Sequence, residues 1–159
     1  MATLPQLIEE DIAALDDALR ELLSRSDATA ALILDKGGFL LTHQGDTREF
    51  DVTSIGALAS GAFMANETIA NLVQEPSFTS VYQQGENSSI FMSNVDEHCL
   101  LLVIFRAQIG VGVVKFYAAK IRDRIAQQLQ TAQQRDPEGG LDLSVLNIAD
   151  TSSVFKRKE

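Results

Sequence analysis

The chain has 159 residues, of which 45% are hydrophobic and 22% are charged. This composition is typical of a globular protein, and the length suits one domain with a tail better than two domains. The formal net charge of −9 argues against nucleic-acid binding, because binding a phosphate backbone depends on clustered Lys and Arg side chains. An acidic protein instead favours partners that carry basic patches.

The N-terminus lacks a basic region followed by an apolar stretch, and acidic residues already follow at Glu9, Glu10 and Asp11. The longest apolar run, 99–105, is far shorter than the roughly 20 residues that cross a bilayer. The single cysteine, Cys99, lies in this run and is predicted to be a small buried hydrophobic residue. We therefore expect a cytoplasmic protein without membrane insertion.

Hydrophobic periodicity predicts an amphipathic first helix and then a β-hairpin. The apolar runs 31–34 and 39–42 flank the turn-forming sequence Asp35-Lys36-Gly37-Gly38, as the two strands of a hairpin would. The residues that recur at helical spacing before the hairpin are Ile8, Ile12, Leu15, Leu19, Leu22 and Leu23.

A second helix is predicted from 55 to 73, with Asp51, Thr53 and Ser54 as candidate N-caps. The face expected to pack onto a sheet comprises Ile55, Leu58, Ala59, Ala62, Phe63, Ile69 and Val73. The opposite face comprises Ala57, Ser60, Gly61, Met64, Thr68 and Asn71. A solvated helix face usually carries Lys and Glu, so this uncharged face predicts the close approach of another backbone. An ordinary, loosely packed surface helix is the alternative.

Strand patterns at 80–84, 89–95 and 99–105 predict three further antiparallel strands, and a third helix follows them. The last strand is apolar on both faces, as expected for a central strand that is covered on both sides. The third helix shows four-residue steps at Val113, Tyr117, Ile121, Ile125 and Leu129. The order α-β-β-α-β-β-β-α predicts an α+β fold with one five-stranded antiparallel sheet and flanking helices.

Proline and glycine residues break the helical pattern after residue 135. We therefore expect one domain over 1–135 and a flexible C-terminal tail over 136–159. Within the tail, 141–148 is dense in aliphatic residues and is a candidate docking segment.

No sequence motif predicts an active site. The chain has no phosphate-binding Gly-Lys-Ser/Thr loop, no pair of histidines at helical spacing, no Cys-x-x-Cys and no Gly-x-Ser-x-Gly. The segment Gly110-Val111-Gly112 resembles the start of a dinucleotide fingerprint, but Lys115 occupies the third glycine position and no later strand completes a βαβ unit. A flexible entry to the third helix is the better interpretation.

The titratable residues also predict neither catalysis nor metal binding. His43 and His98 are near the ends of separate strands without a third ligand, and we expect them at the surface or at a sheet edge. Asp96 and Glu97 are adjacent on a turn, where their carboxylates point apart, and a solvated turn is expected. The sequence therefore predicts a protein that is not an enzyme and has no metal or cofactor.

With these elements placed, the chain resembles the Roadblock (dynein light chain) family from about the first helix to the end of the third. The resemblance rests on the order and spacing of six segments. These are ALILDKGG at 31–38, DVTS at 51–54, YQQG at 82–85, SIFM at 89–92, VIF at 103–105 and GVVK at 112–115. The resemblance implies a homodimer in which two sheets join edge to edge, with both second helices antiparallel on one side.

The resemblance also implies a partner, a Ras-like small GTPase of the MglA type. Such a regulator would accelerate GTP hydrolysis across the paired second helices without donating a catalytic residue. The implied partner-binding residues in this sequence are Ala57, Gly61, Met64, Ala65, Thr68 and Asn71, with Lys115 and Lys120 of the last helix as polar contacts.

Two other functions use the same architecture. One is a non-catalytic adaptor that scaffolds a GTPase, motor or polarity complex through the same surface. The other is a small-molecule sensor, although the apolar runs contain few convergent polar groups. A variant of the GTPase hypothesis uses an arginine finger from Arg48 or Arg106, which lie in predicted loop positions.

Overall fold

The computed structural model describes residues 4–135, which form a five-stranded antiparallel sheet with helices on both faces. The strand order is β2-β1-β5-β4-β3, so β5 is central and β2 and β3 are the edges. This confirms the predicted fold class and element order, whereas the predicted tail and its docking segment lie outside the described residues. The elements are α1 (Glu9–Ser26), β1 (Ala30–Asp35), β2 (Leu40–Gly45), α2 (Val52–Leu72), β3 (Ser80–Gln84), β4 (Ser88–Asn94), β5 (Cys99–Arg106) and α3 (Val111–Gln134).

Alternating side chains of the central strand β5 enter two separate hydrophobic cores. Leu101, Val103 and Phe105 pack in the core beneath α1 and α3. Leu100 and Leu102 pack on the other face, in the core beneath α2. The predicted double coverage of this strand is therefore confirmed.

Cys99, at the start of β5, is fully buried in the core beneath α1 and α3, as predicted. Burial raises the pKa of its thiol, because the low-dielectric surroundings disfavour the thiolate. The thiol is therefore protected from electrophiles, which react with the thiolate form.

Helix α2 packs very closely on the β1–β2 hairpin because small residues line their contact. A methyl group added at Gly38 would lie 3.3 Å from the Ala57 Cα, and Gly38 also has a φ of +99°. A methyl group added at Gly56 would lie 3.0 Å from Leu34 Cδ2. Gly38 is therefore favoured by both its φ and the nearby helix backbone, whereas a side chain at Gly56 would require Leu34 to shift.

A partly buried hydrogen bond fixes α2 against the same hairpin. The Ser60 hydroxyl donates to the backbone carbonyl of Lys36 at 2.5 Å. The Lys36 ammonium in turn lies 5.9 Å from the ring centroid of Phe63, which is fully buried one turn further along α2. These contacts set the rotation of α2 about its axis.

The prediction of which α2 residues face the sheet was partly wrong. Leu58, with 75% of its surface exposed, and the exposed residues Ile69 and Val73 do not pack on the sheet, whereas Ser60 does. The physical reason is the short distance between helix and hairpin at Gly56 and Ser60, which selects small side chains there and fixes the rotation of α2. The buried residues of α2 are Gly56, Ser60, Phe63 and Ala70.

His98 is buried, with 6% exposure, and the prediction of a surface or edge position was wrong for this residue. Its backbone carbonyl accepts a hydrogen bond from the Lys36 N–H at 2.7 Å, which ties the β4–β5 turn to the β1–β2 hairpin. Asp96 stabilises the turn, because its Oδ1 accepts the N–H groups of His98 and Cys99 at 2.8 Å each. Thus Asp96 has a structural role in a turn, and the half-buried His43 lies on the edge strand β2.

The Gly110-Val111-Gly112 segment leads into α3, which begins at Val111 with Gly110 as its N-cap. All strand pairs of the described sheet are antiparallel, so this segment does not belong to a βαβ unit there. None of the helices within 4–135 has an apolar stretch long enough to cross a bilayer.

An ion pair between a fully buried Asp11 and a partly exposed Arg135 joins the start of α1 to the end of α3. The fully buried Asp11 carboxylate accepts two hydrogen bonds from Arg135, at 2.8 and 2.9 Å. It also accepts the N–H of Ile8 at 2.9 Å and the side-chain amide of Gln128 at 2.8 Å. Arg135 is the main cause that lowers the pKa of Asp11 to about 2, and the two other donors contribute. Burial acts in the opposite direction, because it raises the pKa of a carboxyl group.

We predict that Asp11→Asn lowers the free energy of unfolding by about 2 kcal/mol at pH 7, since each pKa unit corresponds to about 1.4 kcal/mol. A depressed carboxyl pKa stabilises the fold above the unfolded-state pKa, near 3.8, and this contribution is lost as the pH falls through about 2. Urea denaturation between pH 7 and pH 2 measures both effects.

Asp17→Asn is the matched control, because Asp17 forms an exposed pair with Arg20 and should change stability little. Equal effects of the two substitutions, or an unchanged pH dependence in Asp11→Asn, would contradict this role for the buried pair.

Candidate partner-binding surface on α2

Helix α2 has two exposed faces in addition to the face that packs on the sheet. With 3.6 residues per turn, residues three or four apart share a face. We define the apolar seam as Ile55, Leu58, Ala62, Ile69 and Leu72. We define the small strip as Ala57, Gly61, Met64, Ala65, Thr68 and Asn71.

The small strip contains the six α2 residues that the sequence analysis assigned to a partner, and all six are exposed. Met64 is its largest side chain, at 53% exposure, and a methyl group added at Gly61 would meet no atom within 4 Å. The Thr68 hydroxyl donates back to the Met64 carbonyl at 3.3 Å. The strip is thus an uncharged surface that offers another backbone a close approach.

Three residues of the apolar seam, Leu58, Ile69 and Leu72, are exposed, and Ile55 and Ala62 are half-buried against the core beneath α2. Leu58 and Leu72 have 75% and 78% of their surface exposed. The seam borders a groove of about 290 Å³ between α2 and the β3–β4 hairpin. Contiguous exposed apolar surface of this kind marks an interaction site. The groove is lined by Ile55, Leu58, Ala59, Ala62, Gln83, Ile90, Met92 and Leu102.

The structure does not bring Lys115 and Lys120 together with the small strip. Both lysines are exposed on α3, which packs with α1 on the opposite face of the sheet from α2. The sheet therefore separates them from the strip. Lys120 instead lies over the ring of Phe116, with its Nζ 4.6 Å from the ring centroid.

The two candidate arginine fingers each pair with a nearby aspartate. Arg48, in the loop before α2, contacts the carboxylate of Asp46 at 2.8 Å, and this arginine lowers the pKa of Asp46 to about 2. Arg106, at the end of β5, contacts Asp27 at 3.2 Å. Both pairs are exposed, and exposed pairs hold a side chain only weakly.

The apolar seam was not predicted from the sequence as a separate surface. Its signal is present in the sequence, because positions 55, 58, 62, 69 and 72 keep the three-and-four spacing of a helix–helix contact. Leu58 and Ile69 were assigned to the sheet-packing face because hydrophobic periodicity alone does not distinguish a contact within the chain from a contact with another chain. Leu72 was assigned to neither face, and Ile55 and Ala62 do pack, half-buried, against the core beneath α2.

Solved structures with the same fold include bacterial MglB proteins. MglB from Myxococcus xanthus is 25% identical, with a TM-score of 0.76 over 81% of this chain and 97% of that chain. The gliding protein MglB from Thermus thermophilus is 23% identical, with a TM-score of 0.76 over 82% of this chain and 99% of that chain. A Roadblock/LC7 domain from Streptomyces avermitilis is 18% identical, with a TM-score of 0.65 over 72% and 97% of the two chains.

A sequence comparison with curated proteins gave no significant match. The family model of the Roadblock/LC7 domain, in contrast, matches residues 14–105. This match runs from within α1 to β5 and includes the whole of α2 with both of its exposed faces. The chain therefore belongs to the Roadblock/LC7 domain family.

Proposed function

We propose that this protein is a homodimeric regulator of a Ras-like small GTPase of the MglA type. The observation that carries the proposal is the pair of faces exposed on α2, an apolar seam beside an uncharged small strip. The seam serves the contact with a second copy, and the strip binds the GTPase. Similarity to the MglB structures supports this assignment.

The seam and the neighbouring sheet edge fit a second copy of the chain. Helix α2 covers the β1–β2 side of its sheet face and leaves a groove over the β3–β4 side. The edge strand β3 pairs only with β4 among the described strands, so its outer hydrogen-bonding groups are available to another strand. Pairing of two β3 strands would place two α2 helices side by side with their seams in contact.

The small strip fits a protein partner that must lie close to the helix backbone. Within α2, Glu67 is the one charged residue and lies outside the strip. Docking there desolvates no ionic group, which avoids the cost of burying an unpaired charge. In the dimer the two strips would form one continuous platform on the side of the sheet that α2 covers.

A platform of this chemistry would act on GTP hydrolysis through positioning. Its side chains are alkyl groups, a thioether, a hydroxyl and an amide, and none of them can neutralise charge on a phosphoryl group. Phosphoryl transfer depends mainly on orientation and electrostatics, which the GTPase supplies once its switch loops are ordered. We therefore propose acceleration without a donated catalytic residue.

For the dimer, we predict that Leu58→Glu converts the protein to a monomer, because it places a charge in the apolar seam. Sedimentation equilibrium measures the change. Leu58→Met should remain dimeric, since it conserves apolar volume. Ala119→Glu, which adds the same charge on an exposed position of α3, should also remain dimeric. A dimeric Leu58→Glu, or a monomeric parent protein, would contradict the seam as the interface.

For the GTPase, we predict that Gly61→Arg abolishes binding while the fold and the dimer stay intact. A long charged side chain at the centre of the strip prevents close approach and should cost at least about 2 kcal/mol of binding free energy, roughly thirtyfold in affinity. Gly61→Ala is the matched control, because its methyl group meets no neighbour and should preserve binding. Titration against the GTP-bound cognate GTPase gives the affinities.

A hydrolysis assay then separates regulation from scaffolding. We expect the parent protein and Gly61→Ala to accelerate hydrolysis and Gly61→Arg to be inactive. Binding without acceleration would instead assign the protein as an adaptor. Arg48→Ala and Arg106→Ala should keep full acceleration, and a large loss in either variant would show that an arginine finger operates.

A further inference from the structure

The face of the sheet opposite α2 carries a second exposed surface that the proposed GTPase regulation does not use. Phe116 has 57% of its surface exposed and contacts Tyr117 edge to face, with ring centroids 5.1 Å apart. A groove of about 280 Å³ runs beside this pair, between α1 and α3. We define the basic aromatic patch as Arg25, Val113, Phe116, Tyr117, Lys120 and Arg124.

The patch is positively charged on a protein whose net charge is negative. Helix α3 contains four basic residues and one acidic residue, whereas the whole chain has a formal charge of −9. Glu21 is the acidic residue that lines the groove, and it is already paired with both Arg25 and Arg124. Lys120 has no carboxylate partner among the described residues. The patch therefore suits an acidic segment that also carries apolar side chains.

The chain itself contains a segment of this chemistry directly after α3. Residues 136–150 include four acidic residues and no basic residue. Five large aliphatic side chains lie among them, at Leu141, Leu143, Val145, Leu146 and Ile148.

The length of chain is sufficient for this segment to reach the patch of its own molecule. Arg135 is anchored to Asp11, 11 residues beyond Arg124, which is the last residue of α3 that lines the groove. Phe116 lies 19 residues earlier on α3, which is about 28 Å at 1.5 Å per residue. Residues 136–140 can span roughly 17 Å and 141–148 a further 26 Å when extended. Pro137, Gly139 and Gly140 are suited to the reversal of direction that is required.

We propose that residues 136–150 dock in cis on the basic aromatic patch. The aliphatic side chains of 143–148 cover Val113 and Phe116, and the Asp142 carboxylate lies near Lys120 and Arg124. Because the patch and the small strip are on opposite faces of the sheet, this docking does not depend on the proposed function of α2. Failure of either proposal leaves the other intact.

Paramagnetic labelling of the full chain tests the docking. Ser144→Cys places a nitroxide in the segment, and the buried Cys99 with its raised thiol pKa should not be labelled. We expect the amide signals of Phe116, Lys120 and Arg124 to lose intensity, whereas those of β3 at the far sheet edge should not. High salt should reduce the loss, because it screens the charges that hold the segment.

The double substitution Lys120→Glu, Arg124→Glu should abolish the signal loss. Lys115→Glu is the matched control, because Lys115 is exposed on α3 but does not line the groove, and it should leave the loss unchanged. Mixing labelled chain with isotope-enriched unlabelled chain identifies contacts between molecules. Signal loss seen equally in that mixture, or no loss in the labelled chain, would overturn docking in cis.

Discussion

The close packing of α2 on the β1–β2 hairpin determines which side chains of α2 are exposed to solvent. Two glycines and a serine at the contact bring the helix backbone near the hairpin, and the Ser60–Lys36 hydrogen bond fixes its rotation. With Gly56 and Ser60 facing the hairpin and Phe63 buried in the core, α2 is rotated so that Leu58 and Leu72 face away from the sheet. The exposure of Leu58 and Leu72 is thus a consequence of how the helix is seated on its own sheet.

The central strand then keeps the functional surfaces apart. Since β5 is buried on both faces, the sheet forms a continuous layer between α2 on one side and α1 with α3 on the other. The surfaces proposed for dimerisation and for GTPase binding share α2, and the basic aromatic patch lies across the sheet. In this arrangement, a partner bound on the α2 face of the sheet does not cover the basic aromatic patch on the opposite face. The Asp11–Arg135 pair joins α1 and α3 at the end of their contact that is remote from the patch.

An exposed strip without charge also limits the kind of regulation that can be proposed. Side chains such as those of Gly61 and Met64 can order a partner's loops by shape and desolvation, but they cannot transfer protons or stabilise anionic charge. Any charged or titratable catalytic group must then come from the partner, from its nucleotide-bound metal or from outside the strip. The chemistry of the strip therefore agrees with a platform that acts by positioning.

The sequence by itself determined the elements, the α+β class and the Roadblock resemblance, because periodicity and turn chemistry are local properties. It also identified the uncharged residues of α2, such as Gly61, as exposed. Only the tertiary structure decided that α2 has three faces, that His98 is buried, and that Lys115 and Lys120 lie across the sheet from Gly61. The physical reason is that the rotation of a helix and the choice of sheet face depend on contacts between residues distant in the chain. In the sequence, an apolar residue that packs inside and one that contacts a partner have the same spacing.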